Sequence, residues 1–295
     1  MIRVRANEKK SRTNILNIAK AHQISSNLLQ KSGIENPELE SELLIRYVLS
    51  ITRTEFYISK MKQLLFSQKK QLEILINERL KFKPLAYITN HKEFYGLKLI
   101  VNASVLIPRP ETEMLIDIAI KYAKNKNNLL RIADLGTGSG AISIAIAKNI
   151  ENTKIKAIDI SKDSINIAKL NSRKHFVSDK INFVNQSIFE PTNELFELII
   201  SNPPYLKTKT LPMLQKEVQK EPEIALNGGE DGLKFIRYII QKYYDKLSPH
   251  GSMIIEIDPN QKDHILSLSK TLNIYDIKFY KDLNKLTRIV QIEKN

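Results

Sequence analysis

Residues 130–150 read LRIADLGTGSGAISIAIAKNI, and this stretch decides the fold of the chain. The first six residues form a short apolar run with the length of a buried strand, and the segment from 139 onward suits a helix. Between the two, Gly136, Gly138 and Gly140 let the backbone turn tightly and approach a ligand. A strand, a glycine turn and a helix in this order predict a ligand site at the edge of an α/β sheet.

The glycine turn fits more than one ligand, and the residues around it bear on the choice. A P-loop needs Lys followed by Ser or Thr after its last glycine, but Ala141-Ile142 stand there, which argues against a nucleoside triphosphatase. A relaxed dinucleotide fingerprint is met, because Ala141 occupies its last position and Asp159 lies 23 residues after Gly136. A turn that binds no ligand is a further alternative.

Asp134, directly before the turn, favours S-adenosylmethionine over a dinucleotide. A carboxylate at that point suits the cationic amino-acid end of S-adenosylmethionine and would repel a pyrophosphate. Asp159 closes the second predicted strand and can accept hydrogen bonds from both ribose hydroxyls. The two carboxylates therefore predict a cofactor that has a cationic end and a ribose.

A second motif, Asn202-Pro203-Pro204-Tyr205, follows the apolar run 196–201 and lies 62 residues after Gly140. It suits methyl transfer to a planar NH2 group, in an amide or on adenine. The lone pair of such a nitrogen is drawn into a π-system, so the nitrogen attacks only where a site orients it. The Asn202 side-chain oxygen and the Pro203 carbonyl can each accept one N–H, and the two prolines keep that backbone rigid.

The surroundings of this second motif also favour a substrate site. A rigid loop that leaves a buried strand is the alternative, but the motif lies where open α/β sheets bind ligands. Tyr205 can stack on the planar acceptor or wall the pocket, and a place in the core is its alternative. The segment 206–230 is long enough to act as a flap over the substrate.

The composition is that of an ordinary globular protein. The chain has 295 residues, 42% of them hydrophobic, which suffices for a main domain and a smaller one. Cysteine is absent, which excludes disulfides and cysteine-bound metal and fits a reducing cytosol; the five scattered histidines add no metal-ligand spacing. No apolar run approaches the roughly 18 residues of a membrane span, and the N-terminus lacks a signal-peptide stretch. We therefore expect a cytoplasmic protein without metal or membrane partner.

The net charge of +14 raises the question of a nucleic-acid partner, because basic surfaces attract phosphate. Lys, Asn and Ile are abundant throughout, so solvated lysine-rich faces are the simpler explanation, and no stable nucleic-acid complex is expected. Residues 1–90 carry 16 Lys and Arg against 8 Asp and Glu, a net +8. That asymmetry suits a module that docks on an acidic protein or RNA.

The apolar pattern divides the chain into three parts. From about residue 13 to 82 apolar residues recur at helical spacing, with Pro37 placed to open a helix. Between 84 and 107 the residues alternate as in a β-hairpin. We expect a helical domain, a hairpin linker and a third, larger domain over residues 1–83, 84–107 and 108–295.

After residue 108 strands and helices alternate, which indicates a parallel sheet covered on both faces. The expected strands are 130–135, 154–160, 181–186, 196–201, 251–258, 275–281 and 287–293. The expected helices are 111–124, 139–150, 162–174, 232–247 and 260–271. Only Asn284-Lys285-Leu286 joins the last two strands, which should therefore pair antiparallel. Seven strands with a reversed terminal hairpin fit the Rossmann-like sheet of class I S-adenosylmethionine-dependent methyltransferases.

Several segments, in a fixed order, resemble the HemK/PrmC family, and the resemblance extends from about residue 33 to near the C-terminus. The segments are Ser32–Pro37, Lys83–Thr89, Glu93–Gly96, Leu106–Glu113, Asp134–Gly140, Ser201–Tyr205 and Asn227–Leu233. Members of that family methylate the glutamine in the Gly-Gly-Gln motif of peptide chain release factors.

The resemblance implies a protein-(glutamine-N5) methyltransferase that acts on release factors and converts S-adenosylmethionine to S-adenosylhomocysteine. A monomer is expected. It assigns the cofactor to Asp134, Gly136, Thr137, Gly138, Ser139, Gly140, Asp159, Ser187, Ile188 and Asn202. It assigns the target glutamine to Asn202, Pro203, Pro204 and Tyr205, with Asn202 and Pro203 as the residues that orient the nitrogen. No general base is assigned, since the nitrogen can lose its proton after attack.

Three departures from the family pattern stand out. Ser187-Ile188 replace the usual Asp-Trp after the third strand, so adenine is expected to lose a carboxylate partner and an aromatic neighbour. The usual Glu-Ile-Gly is Glu256-Ile257-Asp258, and the usual Gly-Arg-Asp is Lys285-Leu286-Thr287. The first departure concerns cofactor affinity, and the other two concern local packing.

Two other functions stay open at this point. An adenine-N6 methyltransferase acting on DNA or RNA uses the same tetrapeptide on a similar nitrogen, with the base flipped out of its stack. The helical N-terminal part, and the lack of a recognition domain after residue 293, argue against it. A non-catalytic protein that keeps the fold and docks on release factor or ribosome is the other alternative.

Overall fold

The structure is a computed structural model that describes residues 16–124, 126, 128–190 and 193–295. It divides into two compact units, with the division between Thr89 and Asn90. The first unit contains helices α1 (Ile18–Lys31), α2 (Pro37–Leu49), α3 (Arg53–Ile58), α4 (Phe66–Leu80) and α5 (Leu85–Thr89). The helical pattern predicted for residues 13–15 lies outside the described residues.

The helices of the first unit begin where the local chemistry favours it. Asn17 caps α1 by accepting a hydrogen bond from the Lys20 N–H, and α2 begins at Pro37 as predicted. Apolar side chains of α1, α2, α3 and α4 form one core. Fully buried Arg79 lies among these helices and is paired with Glu40 at 2.5 Å, so the buried cation has a carboxylate partner.

The second unit begins with the predicted hairpin. Strands β1 (His91–Phe94) and β2 (Leu97–Ile100) pair antiparallel, and Tyr95-Gly96 form the turn. Phe94 and Leu99 belong to the core of this second unit. The contacts thus group the hairpin with the residues that follow it, while the boundaries 83 and 107 stay a prediction.

Seven further strands form one sheet, as the sequence predicted. They are β3 (Leu130–Leu135), β4 (Thr153–Asp159), β5 (Ile181–Asn185), β6 (Phe196–Ser201), β7 (Leu247–Glu256), β8 (Ile277–Lys281) and β9 (Thr287–Glu293). The order is β5-β4-β3-β6-β7-β9-β8, with β9 antiparallel to both of its neighbours and the other pairs parallel. The reversed terminal hairpin and the class I methyltransferase fold are confirmed.

Helices cover both faces of this sheet. They are α6 (Glu113–Ala123), α7 (Ala141–Asn149), α8 (Lys162–Lys174), α9 (Lys234–Tyr243) and α10 (Lys262–Thr271). Along β3, Ile132 belongs to the core that contains α6 and α7, whereas Ala133 and Leu135 belong to the core that contains α9 and α10. Burial on both faces explains why the central strands β3 and β6 read as short, mostly apolar runs.

The predicted element bounds differ from the observed ones mainly at β7, the fifth strand of the seven-stranded sheet in chain order. Strand β7 was expected over 251–258 but begins at Leu247, because Leu247 already pairs with Phe196 across a register shift. The helix expected over 232–247 ends at Tyr243, and a short 3-10 turn follows. Among the residues that the structure describes, no helix has the length and apolar character that crossing a membrane requires.

Candidate active site

The sheet topology brings the predicted site residues to one edge. Strands β4, β3 and β6 are neighbours, so Asp159, the glycine turn and Asn202 lie at adjacent carboxyl ends. A cavity of ≈ 410 Å³ opens there. The predicted site residues that line it are Gly136, Gly138, Asp159, Ser187, Ile188, Asn202, Pro203 and Pro204. This is the place where open α/β sheets bind ligands.

Asp134, which directly precedes the glycine turn, is fully buried, and only one of its two carboxylate oxygens has hydrogen-bond partners among the described residues. One oxygen, Oδ2, accepts hydrogen bonds from Thr137 Oγ1 at 2.7 Å and Ser143 Oγ at 2.5 Å. The other, Oδ1, is buried and has no hydrogen-bond partner among the described residues. Burial raises the pKa of Asp134 to about 6, although both hydroxyls oppose the rise. A buried acceptor without a donor fits the ammonium group of S-adenosylmethionine.

The pKa of Asp134 predicts how cofactor affinity depends on pH. The carboxylate is ionised above about pH 6 and neutral below it, so the attraction for a cation is lost as the pH falls. The dissociation constant of S-adenosylmethionine should rise below that pH, by up to about tenfold per pH unit. Calorimetric titrations at several pH values check this, and Asp134→Asn should remove the dependence. An affinity that is flat in the wild type would contradict the role of Asp134.

The glycine turn provides the close approach that a cofactor needs. Gly136 and Gly138 have φ values of +78° and +56°, and a Cβ built at either would meet no atom of the described residues within 4 Å, so both border open space. Thr137 and Ser139 are buried below the turn. Of the predicted cofactor residues, these two, Gly140 and Asp134 do not line the cavity. Their assignment to the cofactor stays a prediction.

Asp159 is held by the backbone and still has acceptor capacity. Its Oδ2 accepts from the Gly138 N–H at 2.8 Å, and its Oδ1 accepts from the Ser161 N–H at 2.9 Å. Burial raises the pKa of Asp159, and these two backbone hydrogen bonds oppose the rise. Each carboxylate oxygen can accept a further hydrogen bond, so the group can take two ribose hydroxyls.

Asp159→Ala should weaken cofactor binding. Lost hydrogen bonds to a charged acceptor cost about 1.5–3 kcal/mol, which corresponds to a dissociation constant about 10- to 100-fold higher. Calorimetry with S-adenosylhomocysteine measures the change directly, and Asp163→Ala, on the exposed first turn of α8, is the matched control. An affinity within about threefold of the wild type would contradict the assignment.

The cavity has an aromatic side chain next to Ser187-Ile188, and the loss of an aromatic neighbour of adenine at these two positions stays a prediction. Phe189, the next residue, lines the cavity together with Phe235 of α9, and the two ring centroids are 5.4 Å apart. The Tyr238 hydroxyl donates to the Phe189 carbonyl at 2.9 Å, which fixes this segment. An aromatic ring thus lies at the cavity one residue after Ile188. The sequence carried this signal in the Phe189 that follows Ile188.

The Asn202 amide has a defined orientation. Its Nδ2 donates to Thr112 Oγ1 at 3.0 Å, so its Oδ1 is the atom left to accept a hydrogen bond from a substrate. Pro203 and Pro204 line the cavity next to it. Asn202 and Pro203 thus occupy the positions from which a planar NH2 group can be oriented.

Tyr205 is placed differently from its neighbours. It is not among the described residues that line the cavity, and its ring packs against the core that contains α9 and α10. Its hydroxyl donates to Glu256 Oε1 at 3.2 Å, and burial raises the pKa of Tyr205. The ring of Tyr205 thus lies against the core, as in the alternative interpretation of the sequence. Contact between Tyr205 and the substrate stays a prediction.

The turn 227–233 packs against the backbone of the Asn-Pro-Pro-Tyr motif. The Gly228 N–H donates to the Leu206 carbonyl at 2.7 Å, directly after the motif. A Cβ at Gly228 would lie 2.8 Å from the Pro204 carbonyl oxygen, and one at Gly232 would lie 2.5 Å from the Tyr205 oxygen. Side chains at these positions would displace the motif, which explains both glycines.

Gly228→Ala should therefore lower kcat by about tenfold or more, because it must push the Pro204 backbone out of place. Gly96→Ala is the control, since Gly96 has a φ of +70°, but a Cβ built there has no atom within 4 Å in the part of the chain that the structure describes. It should cost stability through backbone strain and leave kcat nearly unchanged. Turnover and melting temperature of both variants check this. A Gly228→Ala variant with wild-type kcat would contradict the supporting role.

Of the two remaining departures from the family pattern, the structure gives Asp258 a local role and does not explain Lys285. Asp258 caps a short 3-10 turn by accepting from the Asn260 N–H at 2.9 Å, and Gln261 in that turn donates to the Tyr205 and Gly232 carbonyls. Lys285 has a φ of +64°, a conformation that glycine adopts more easily. Both departures lie outside the residues that line the cavity.

Two family models match the chain. A PrmC N-terminal domain matches residues 20–89, and a methyltransferase small domain matches residues 119–250.

Two relatives and one solved structure extend these matches. A release factor glutamine methyltransferase from Dictyoglomus turgidum is 39% identical over 276 residues, covering 90% of this chain and 95% of the relative. A bifunctional methyltransferase from Rickettsia typhi is 36% identical over 283 residues, covering 90% of this chain and 55% of the relative. The chain thus spans about half the length of that relative. The solved hMettl16 catalytic domain in complex with the MAT2A 3'UTR hairpin 6 has a TM-score of 0.57 and 16% identity, covering 72% of this chain and 82% of that one. That likeness shows the fold alone.

Proposed function

The chain belongs to the release factor glutamine methyltransferase family, and from this membership we propose that it methylates the glutamine of the Gly-Gly-Gln motif in peptide chain release factors. The methyl group comes from S-adenosylmethionine and is transferred to the side-chain amide nitrogen. The observation that carries the proposal is the orientation of Asn202. Its amide nitrogen is engaged by Thr112, so its oxygen is left to accept from the substrate at the cavity.

The cofactor fits the charges and shape at the carboxyl edge of the sheet. When bound, S-adenosylmethionine supplies a methyl group already activated on its sulfonium. Asp134 offers a buried acceptor that no described residue supplies with a donor. Asp159 offers acceptor capacity for ribose hydroxyls, and Gly136 and Gly138 leave room beside the backbone. Phe189 and Phe235 line the same cavity and offer aromatic faces to adenine.

The protein's part in the reaction is to align the amide and exclude water. Asn202 Oδ1 and the Pro203 carbonyl each accept one N–H of the target amide, which directs the nitrogen lone pair toward the methyl carbon. S-adenosylmethionine would supply the methyl carbon to this nitrogen, and the electron pair of its carbon–sulfur bond would leave with neutral S-adenosylhomocysteine. The methylated nitrogen loses one proton after the attack, and this proton passes to bulk solvent. Alignment within about 3–3.5 Å suffices for this displacement, so no general base is required.

Four further properties of the protein are proposed from the sequence. They are a monomeric state, a place in the cytoplasm, and activity without a bound metal or a stably bound nucleic acid. The basic helical unit, with its net charge of +8 over residues 1–90, is proposed to recognise the body of the release factor.

Labelled S-adenosylmethionine separates this function from adenine methylation. Label transferred to a cell extract should survive nuclease treatment and disappear after protease treatment. The reverse pattern would identify a nucleic-acid substrate. Lack of transfer together with measurable cofactor binding would indicate a non-catalytic protein.

A further inference from the structure

A buried carboxyl group, Glu256, lies behind the Asn-Pro-Pro-Tyr motif. It ends strand β7, is 2% exposed, and accepts hydrogen bonds from two hydroxyls. Thr112 Oγ1 donates to its Oε2 at 2.6 Å, and the Tyr205 hydroxyl donates to its Oε1 at 3.2 Å. Thr112 is itself 3% exposed and lies directly before α6. Three distant parts of the sequence therefore meet at one carboxylate.

The chemistry of these groups fixes the direction of the hydrogen bonds. An ionised carboxylate can only accept hydrogen bonds, so the single hydroxyl hydrogen of Thr112 must be donated to Glu256. The Thr112 oxygen is then an acceptor toward Asn202, whose Nδ2 lies 3.0 Å away. Because an amide carries its nitrogen and oxygen on opposite sides, this arrangement keeps Asn202 Oδ1 turned away from Thr112.

We propose that Thr112 and Glu256 are positioning residues, which hold the Asn202 amide with its oxygen available to the target glutamine. This inference rests on the methyl transfer proposed above. Neither residue is among the described residues that line the cavity, so both act through Asn202. Without them, Asn202 can rotate its amide and present an N–H donor to the N–H of the substrate, which prevents the productive hydrogen bond.

The protonation state of Glu256 makes the hydrogen bonds of Thr112 and Asn202 depend on pH. Burial raises the pKa of Glu256 to about 7, and the nearby negative charge of Glu111 adds to the rise. The hydrogen bonds from Thr112 and Tyr205 and the positive charge of Arg288 oppose it. A protonated Glu256 can donate to Thr112, whose own hydrogen then turns toward Asn202 Oδ1. The proposal therefore predicts that kcat falls as the pH drops through the pKa of Glu256.

The test uses the full-length protein with release factor and saturating S-adenosylmethionine. Saturation removes the effect of Asp134 on cofactor binding from kcat. Thr112→Val replaces the hydroxyl with a methyl group of similar size, and Thr112→Ser keeps the hydroxyl. Glu256→Gln keeps the shape and removes the titration. The kcat of each protein is measured from about pH 6 to about pH 9, with the cofactor dissociation constant and melting temperature alongside.

We expect kcat of Thr112→Val to be less than about a tenth of that of Thr112→Ser, with cofactor affinity alike in both. The acid limb of the wild type should be absent in Glu256→Gln. A Thr112→Val value above that limit, or an acid limb that survives in Glu256→Gln, would overturn the proposal. If Thr112→Val fails to fold, the pH profile of Glu256→Gln decides. A wild type that does not methylate release factor would instead contradict the proposed function.

Discussion

Asn202→Ala should lower kcat for release factor methylation by at least about a hundredfold, because misdirecting a nucleophile by about an ångström has a cost of that size. The substitution removes an acceptor that orients the target nitrogen. Cofactor affinity should stay within about threefold of the wild type, since Asp134, Asp159 and the glycine turn remain in place. Single-turnover kinetics and calorimetry of the same preparation measure the two quantities separately.

Asn284→Ala is the matched control for this substitution. Asn284 is exposed in the loop between β8 and β9, away from the cavity lining, and its loss should change neither kcat nor cofactor affinity. An Asn202→Ala variant that loses less than about tenfold in kcat would remove Asn202 from the orienting role. A parallel loss of cofactor affinity would instead place its main contribution in the cofactor pocket.

The second large effect concerns the helical unit. A fragment of residues 90–295 has its own hydrophobic core, so it should fold and bind cofactor. We expect it to methylate intact release factor with a kcat/KM at least about a hundredfold below that of the full chain. Docking contacts remote from the glutamine bring the loop into the cavity, and the fragment lacks them.

A short peptide that contains Gly-Gly-Gln is the control substrate for this comparison. It has no body to dock on the helical unit, so both forms should methylate it poorly and nearly equally. The measurement is kcat/KM for release factor and for peptide with each form. If truncation slows the peptide as much as the protein, the helical unit supports the active site and its assignment to recognition is wrong.

The central part of the fold could be predicted from the sequence because its signals are local. Strands β3 and β6 begin and end at the predicted residues, since a strand buried on both faces reads as a short apolar run. The antiparallel pairing of β8 with β9 followed from a connection too short for a crossover. The place of Asp159 and Asn202 at one edge followed from the strand assignment.

The hydrogen bonds that hold Asn202 of the Asn-Pro-Pro-Tyr motif could not be predicted, because they join residues far apart in the chain. Thr112 and Glu256 are separated by 144 residues, and Asn202 and Thr112 by 90. No local pattern reports such a hydrogen-bond chain. The start of β7 at Leu247 was missed for a similar reason, because pairing with Phe196 extends the strand through a register shift.

Mass spectrometry of a release factor, digested with trypsin after incubation with this protein and S-adenosylmethionine, tests the central claim most directly. We predict that the peptide containing Gly-Gly-Gln gains the mass of one methyl group, and that fragmentation places it on the glutamine side chain. The same peptide should stay unmodified after incubation with Asn202→Ala. An unmodified peptide with the wild-type protein, under conditions where calorimetry shows bound cofactor, would contradict the claim.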